Sequence, residues 1–233
     1  MYREVPAVAP GLAGVVEAAW LREVPADQSE PLRVVPDGCT DLMWVDGELQ
    51  VAGPDTRPQL TVAGAGAAFA AVRFAPGAGP AVLGVPGHEL RDGRVPLAAL
   101  WPAGAVRRLA ERVAEAPDRL AVLQAAVANR LREAGPPDPV VAAVAHRVGG
   151  GVAATAEAVG LSERQLHRRC QAAFGYGPKT LARILRFRRA VALARTGTGL
   201  AEVAFRSGYA DQPHLAREVR ALSGVPLRVL LSS

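Results

Sequence analysis

Cysteine, histidine, lysine and aromatic side chains are all scarce in this chain of 233 residues. The two cysteines, Cys39 and Cys170, lie in opposite halves, which argues against a disulfide framework and against a structural zinc set. Of the four histidines, only His88 precedes residue 146, so a metal centre built from several imidazoles cannot form in the first half. Long apolar runs are missing too. Nothing is long enough to span a bilayer, and Met1-Tyr-Arg-Glu-Val-Pro6 has no apolar signal core, so a cytoplasmic protein without a membrane partner is expected. A Gly-rich phosphate loop, a nucleophile elbow and a His-Glu-x-x-His helix are likewise absent, and no catalytic residue, cofactor or metal is expected.

Arginine is what the chain has in abundance; Lys179 is its single lysine. A compositional bias explains why the cations are arginines but not where they fall. Residues 1–137 carry 13 arginines against 16 acids, a net −3, whereas residues 138–233 carry 14 cations against 6 acids, a net +8. A basic domain draws polyanions by releasing their counterions, so the partner expected for the second half is nucleic acid.

The fold class read from the pattern is α+β. Residues 1–95 form a β-rich domain, 96–137 a helical extension and linker, and 138–233 an all-α domain. Short β-prone runs at 20–24, 32–35, 40–45, 49–52, 60–63 and 70–74 alternate with turn residues, and the Asp-Gly pairs at Asp37-Gly38 and Asp46-Gly47 signal hairpins. A small barrel, half-barrel or sandwich follows. From Pro96 the spacing becomes helical, with Val106, Leu109 and Val113 in one segment and Leu120, Leu123 and Val127 in the next, and these helices are expected to pack on the β domain, a role in dimerisation being the alternative.

The last third repeats itself. Ala156-Glu-Ala-Val-Gly160-Leu-Ser162 and Ala204-Phe-Arg-Ser-Gly208-Tyr-Ala-Asp211 each place a small residue where two helices cross and a glycine at the turn between them. Each copy runs on through a core leucine, Leu166 or Leu215, to another glycine, Gly175 or Gly224, and then a proline, Pro178 or Pro226. Two aligned matches point to paired helix-turn-helix units joined by a helix beginning at Pro178. In such a unit the second helix enters the major groove of double-stranded DNA. In the first copy Arg164, His167 and Arg168 are expected to read bases, with Ser162, Arg169 and Lys179 on phosphates. In the second, Gln212, His214 and Arg217 face the groove, and Ala216 can touch a thymine methyl. Arginine suits guanine and glutamine suits adenine, each good bidentate pair discriminating by roughly 1–3 kcal/mol.

This pattern resembles the AraC/XylS family of bacterial transcription regulators over residues 138–230. Phe174-Gly-Tyr-Gly-Pro178, Arg186-Phe-Arg-Arg-Ala190 and the stretch from Val203 to Arg217 carry the likeness. The resemblance implies base-facing roles for Arg164, His167 and Arg168 and for Gln212, Pro213, Ala216 and Arg217. Cys170, Leu215 and Val219 stand where the family commonly has aromatics. Since Pro213 and Ala216 offer no side-chain hydrogen bonds, the second unit is expected to bind more loosely. Pro36-Asp-Gly-Cys-Thr-Asp-Leu-Met-Trp44 and Val72-Arg-Phe-Ala-Pro-Gly77 resemble the reduced β domain of some such regulators, which implies effector binding or homodimerisation and, through DNA, altered RNA polymerase recruitment. Two other classes stay open: an architectural DNA binder without an effector, and an enzyme with an appended DNA-binding domain, its polar site assembled from Asp37 with Asp41 or Arg73 with His88.

Overall fold

The computed structural model describes residues 2–6 and 11–232. Its first half is built on an antiparallel sheet of strands β1 (Tyr2–Pro6), β2 (Val16–Glu23), β4 (Thr40–Val45), β5 (Glu48–Ala52), β7 (Ala68–Phe74) and β8 (Arg94–Pro96), in the order β1-β2-β7-β4-β5-β8. Strands β3 (Glu30–Val34) and β6 (Gln59–Ala63) pair with each other in a separate ribbon. The Asp46-Gly47 hairpin forms as expected, closing Val45 on Glu48. Asp37-Gly38 does not make a hairpin. Strand β3 leaves for the ribbon, and the Asp37 carboxylate instead accepts the Cys39 amide at 2.9 Å, closing a local turn that starts β4.

Two short helices, α1 (Gly79–Leu83) and α2 (Gly87–Leu90), fill the connection before β8. Helices α3 (Ala103–Glu115) and α4 (Arg119–Ala134) then cover one face of the sheet. Val106, Leu109, Val113, Leu120, Leu123 and Val127 share a single core with Leu42, Val51, Val72 and Phe74 of the strands. Asp118 caps α4 by accepting the Ala121 amide at 3.0 Å, which fixes where the chain turns back. Trp101 is pinned by donating its indole N–H to the Leu83 carbonyl, and the Arg130 guanidinium stacks 5.0 Å above its ring.

The second half is helical throughout: α5 (Pro139–Arg147), α6 (Val152–Ala158), α7 (Glu163–Phe174), α8 (Pro178–Arg195), α9 (Leu200–Arg206), α10 (Gln212–Ser223) and α11 (Leu227–Leu231). The long helix α8 buries Leu181, Ile184, Phe187 and Val191 in one core with Leu166 and Phe174 of α7 and with Leu215, Val219 and Leu222 of α10. At 18 residues, α8 spans about 27 Å and holds α7 and α10 at a fixed separation.

The halves meet in a tight seam. A side chain at Gly87 would lie 2.8 Å from the Gly175 nitrogen and 3.1 Å from the Ala173 carbonyl oxygen, so only a glycine lets α2 reach the end of α7. Arg91, just past α2, donates to the Gly175 carbonyl at 3.3 Å. Farther along, Arg33 of the ribbon donates to the Ser223 carbonyl at 2.8 Å, and Arg188 of α8 pairs with Glu17 of β2.

Replacing Gly87 by valine should open this seam, because the new atoms collide with backbone that has nowhere to move. The expected cost is about 1–3 kcal/mol. Hydrogen exchange should rise over α2 and the last turn of α7 while β4 and β7 stay protected; unchanged protection at both places would show that the seam tolerates the added volume.

Candidate nucleic-acid interface

The repeat seen in the sequence is reproduced bond for bond. In the first unit the Leu161 amide donates to the Ala156 carbonyl at 2.9 Å, and in the second the Tyr209 amide donates to the Ala204 carbonyl at 2.9 Å. The turn glycines take left-handed backbone, with φ of 67° at Gly160 and 77° at Gly208. Ala156 and Ala204 are buried at the helix crossings, where anything larger would push the paired helices apart.

Each recognition helix has a side-chain cap. Ser162 and Gln165 form a complete capping box, the Gln165 amide donating to Ser162 Oγ at 3.3 Å and the Ser162 amide donating to Gln165 Oε1 at 2.8 Å. Asp211 caps α10 by accepting the His214 amide at 2.6 Å, and Pro213 fits in the first turn, where an amide hydrogen has no helical partner. The second turn is one residue longer than the first, Ala210 being the addition. Beyond it Arg164 corresponds to Pro213, Gln165 to His214, His167 to Ala216, and Arg168 to Arg217.

This correspondence explains where the expected readers lie. Arg164, His167 and Arg168 are exposed on α7, and Gln212, Pro213, Ala216 and Arg217 are exposed on α10. Among the described residues, Arg164, Arg168 and Arg217 form no salt bridge, which leaves three guanidinium groups open to solvent. His167 lies against Gly177, where a side chain would come within 2.7 Å of the ring, and its Nε2 sits 3.0 Å from Gln171 Nε2. Ser162 and Lys179 are exposed at the N-terminal ends of α7 and α8, where backbone N–H groups and the helix dipole favour an anion.

Two residues sit differently from the expectation. His214 occupies the position of Gln165 and, like it, folds back on the cap: Nδ1 accepts the Ala210 amide at 3.4 Å, the ring meets Tyr209 edge-on, and Nε2 lies 4.0 Å from Glu218. Its ring is therefore directed at the turn rather than at a base edge. Arg169 is paired with Asp138, the residue that also caps α5 by accepting the Val140 amide at 2.9 Å. That pairing competes with a phosphate for the same guanidinium.

A fastening not evident in the sequence lies at the base of α10. The half-buried Glu218 carboxylate accepts from Arg186 Nη2 at 2.8 Å and lies 3.5 Å from Arg183 Nε, both on α8. The Arg186 guanidinium also stacks over the Tyr209 ring at 4.7 Å, and burial pushes the Tyr209 hydroxyl up to about 12. Arg169 and Glu218 are equivalent positions in the repeat, so the two units tie the same helix position with ion pairs of opposite polarity. The close spacing of His214 and Glu218 on one helix face is the only sequence sign of this arrangement, because Arg186 is 32 residues away and Arg183 farther still.

The polar candidates of the first half separate. Arg73 forks onto the buried Asp41 through two bonds of 3.0 Å, and Trp20 Nε1 donates to the same carboxylate at 3.3 Å. Burial raises the Asp41 carboxyl despite the opposing pull of Arg73. Asp37 joins this group 3.6 Å from Arg73, whereas His88 lies apart from it, beside α7. Cys170 is buried under α7, and burial moves its thiol up to about 11.

Comparison with known proteins agrees with this geometry. Residues 155–232 match the family described as a helix-turn-helix domain, and residues 5–96 match a domain of unknown function, DUF6597. No curated protein matches the chain by sequence. Among solved structures, ToxT from Vibrio cholerae O395 is similar over 91% of this chain and 95% of its own, at 11% identity and a TM-score of 0.50. An unsaturated fatty acid bound wild-type ToxT from Vibrio cholerae strain SCE256 aligns over 93% and 94%, at 10% identity and a TM-score of 0.49. A probable AraC family transcriptional regulator from Rhodopseudomonas palustris CGA009 covers 41% of this chain and 96% of its own, at 22% identity and a TM-score of 0.35. At 11% identity the likeness to ToxT from Vibrio cholerae O395 is one of fold alone. No helix among the described residues is long and apolar enough to cross a membrane.

Glu218→Ala should loosen the second unit more than the first. Losing a charge-assisted bond of this kind costs about 1.5–3 kcal/mol, an upper range here because Arg186 keeps partial access to solvent. Urea denaturation followed by helical circular dichroism should show the loss, and a midpoint equal to that of the parent would mean that the carboxylate carries no net stabilisation.

Proposed function

We propose that this chain is a DNA-binding transcription regulator of the AraC/XylS type with a β-rich N-terminal domain, and that it reads two adjacent major-groove segments in a sequence-specific way. One observation carries the reading: Arg168 and Arg217 occupy the same position on two matching units, both are exposed, and neither is tied down by a carboxylate among the described residues. Arginine at such a position donates two parallel bonds to guanine. Arg164 and His167 extend the reading surface of the first unit, and Gln212, Pro213 and Ala216 that of the second. Ser162 and Lys179 position the protein on phosphates, which fixes register without specifying sequence. Arg169 joins them when DNA competes successfully with Asp138, and His214 shapes the turn.

The remaining parts of the reading concern control. Residues 1–95 act as the sensor or interaction domain, 96–137 as its helical extension, and 138–233 as the DNA-binding domain of a cytoplasmic protein. The seam at Gly87 and Gly175 supports modulation through the first half, since any ligand that shifts α2 acts directly on the end of α7. A small-molecule effector, a second copy of the chain and RNA polymerase are the partners this arrangement would serve. An unsaturated fatty acid is bound in one of the similar structures, ToxT from Vibrio cholerae strain SCE256.

Selection from random duplex DNA with the full-length protein should recover an asymmetric site with two blocks about 34 Å apart, one helical turn. Arg168→Ala should relax one block and Arg217→Ala the other, each at a cost of about 1–3 kcal/mol on the selected site. The larger loss is expected from Arg168→Ala, because the second unit offers fewer side-chain donors. Equal losses would contradict that asymmetry, and recovery of no preferred sequence would favour an architectural role.

A further inference from the structure

We propose that the DNA-contacting surface extends beyond the helical domain, with His88 of the N-terminal half meeting a phosphate that flanks the bases read by the first unit. The proposal rests on the reading of α7 as a recognition helix. His88 follows Gly87, whose backbone is pressed against the last turn of α7, and precedes Arg91, which donates to the Gly175 carbonyl. Helix α2 is therefore fastened to α7 on both sides of His88. The exposed imidazole borders a shallow depression of about 440 Å³ whose other walls are Arg164, His167, Arg168, Gln171 and Ala172.

Those walls are the outward face of α7, the face that a helix-turn-helix unit turns to the groove. His88 therefore stands on the same side as the two unpaired arginines, close to the C-terminal end of the helix. A recognition helix enters the groove with its N-terminal residues on the bases, so a group beside its C-terminal end lies near the sugar-phosphate backbone. Its ring N–H groups can donate to a phosphate oxygen in either protonation state. The depression joins five potential cationic or hydrogen-donating side chains, an arrangement complementary to a phosphodiester. Nothing in the sequence hints at this placement, because His88 and Arg168 belong to domains of opposite net charge.

Two measurements on the full-length protein test the proposal, both on the site selected by the parent. First, His88→Glu should weaken binding at least tenfold, and His88→Lys should strengthen it and steepen the dependence of log K on log salt by up to about 0.9, the increment for one further phosphate neutralised by a permanent cation. Second, His88→Cys can be labelled singly with an iron chelate, since both native cysteines are buried. It should cleave the DNA backbone at one locus beside the block lost in Arg168→Ala. Unchanged affinity and salt slope in both charge variants, or no localised cleavage by the bound conjugate, would overturn the assignment of His88 while leaving the reading of α7 intact. If the parent selects no sequence and Arg168→Ala binds as well as the parent, the reading of α7 itself fails, and the proposal with it.

Discussion

The architecture depends on one contact between two residues that have no side chains. Gly175 ends the first recognition helix in a left-handed turn, and Gly87 of the other half rests against it with backbone on backbone. A side chain at either place would force α2 and α7 apart, and Arg91 and Pro54 would lose their positions at the same point. Because the end of α7 is the junction, the orientation of that helix and the seating of the β-rich half are mechanically coupled. A domain tethered only by the residues 135–138 connection would have no such constraint.

The two helix-turn-helix units share a skeleton but not their fastenings. Backbone bonds at the turns agree in length, both helices are capped on their first turn, and both end in a glycine whose amide returns to the helix. The side chains that anchor each helix to its surroundings are different. Arg169 reaches Asp138 on α5, whereas Glu218 draws in arginines from α8. The first unit is thus referenced to the helix that enters the domain, and the second to the helix that joins the pair. Ion pairs of this exposure contribute modestly to stability; their effect here is to choose which neighbour each reading helix follows.

Much of this was legible from the sequence where local chemistry decides the outcome. Strand β4 is found at residues 40–45 as its pattern implies, the Asp46-Gly47 hairpin closes where it should, and Ser162 with Gln165 makes the capping box that their spacing announces. The apolar faces of α3 and α4 pack on the sheet. The sequence was silent where tertiary contact decides. Helix α2 has four residues and no side-chain cap, and it exists because α7 receives it. The pairing of β3 with β6 instead of β4 depends on a turn at Asp37 that resembles a hairpin signal but redirects the chain. His214 shows the limit at the site: its periodic position faces outward, yet its ring turns back to accept the amide of Ala210, the extra residue of its turn.

That extra residue, Ala210, has a consequence for how the protein could diversify. A helix of this kind is seated by the turn that precedes it, and the added residue brings the Ala210 amide to His214 Nδ1, a bond that the first turn lacks. The segments 163–174 and 212–223 are therefore not interchangeable parts, although their skeletons match. A reading helix transplanted from one unit to the other keeps its aim only if its turn, cap and anchoring partner move with it. Turn and helix form one block here, which makes the duplicated unit less modular than its repeated sequence implies.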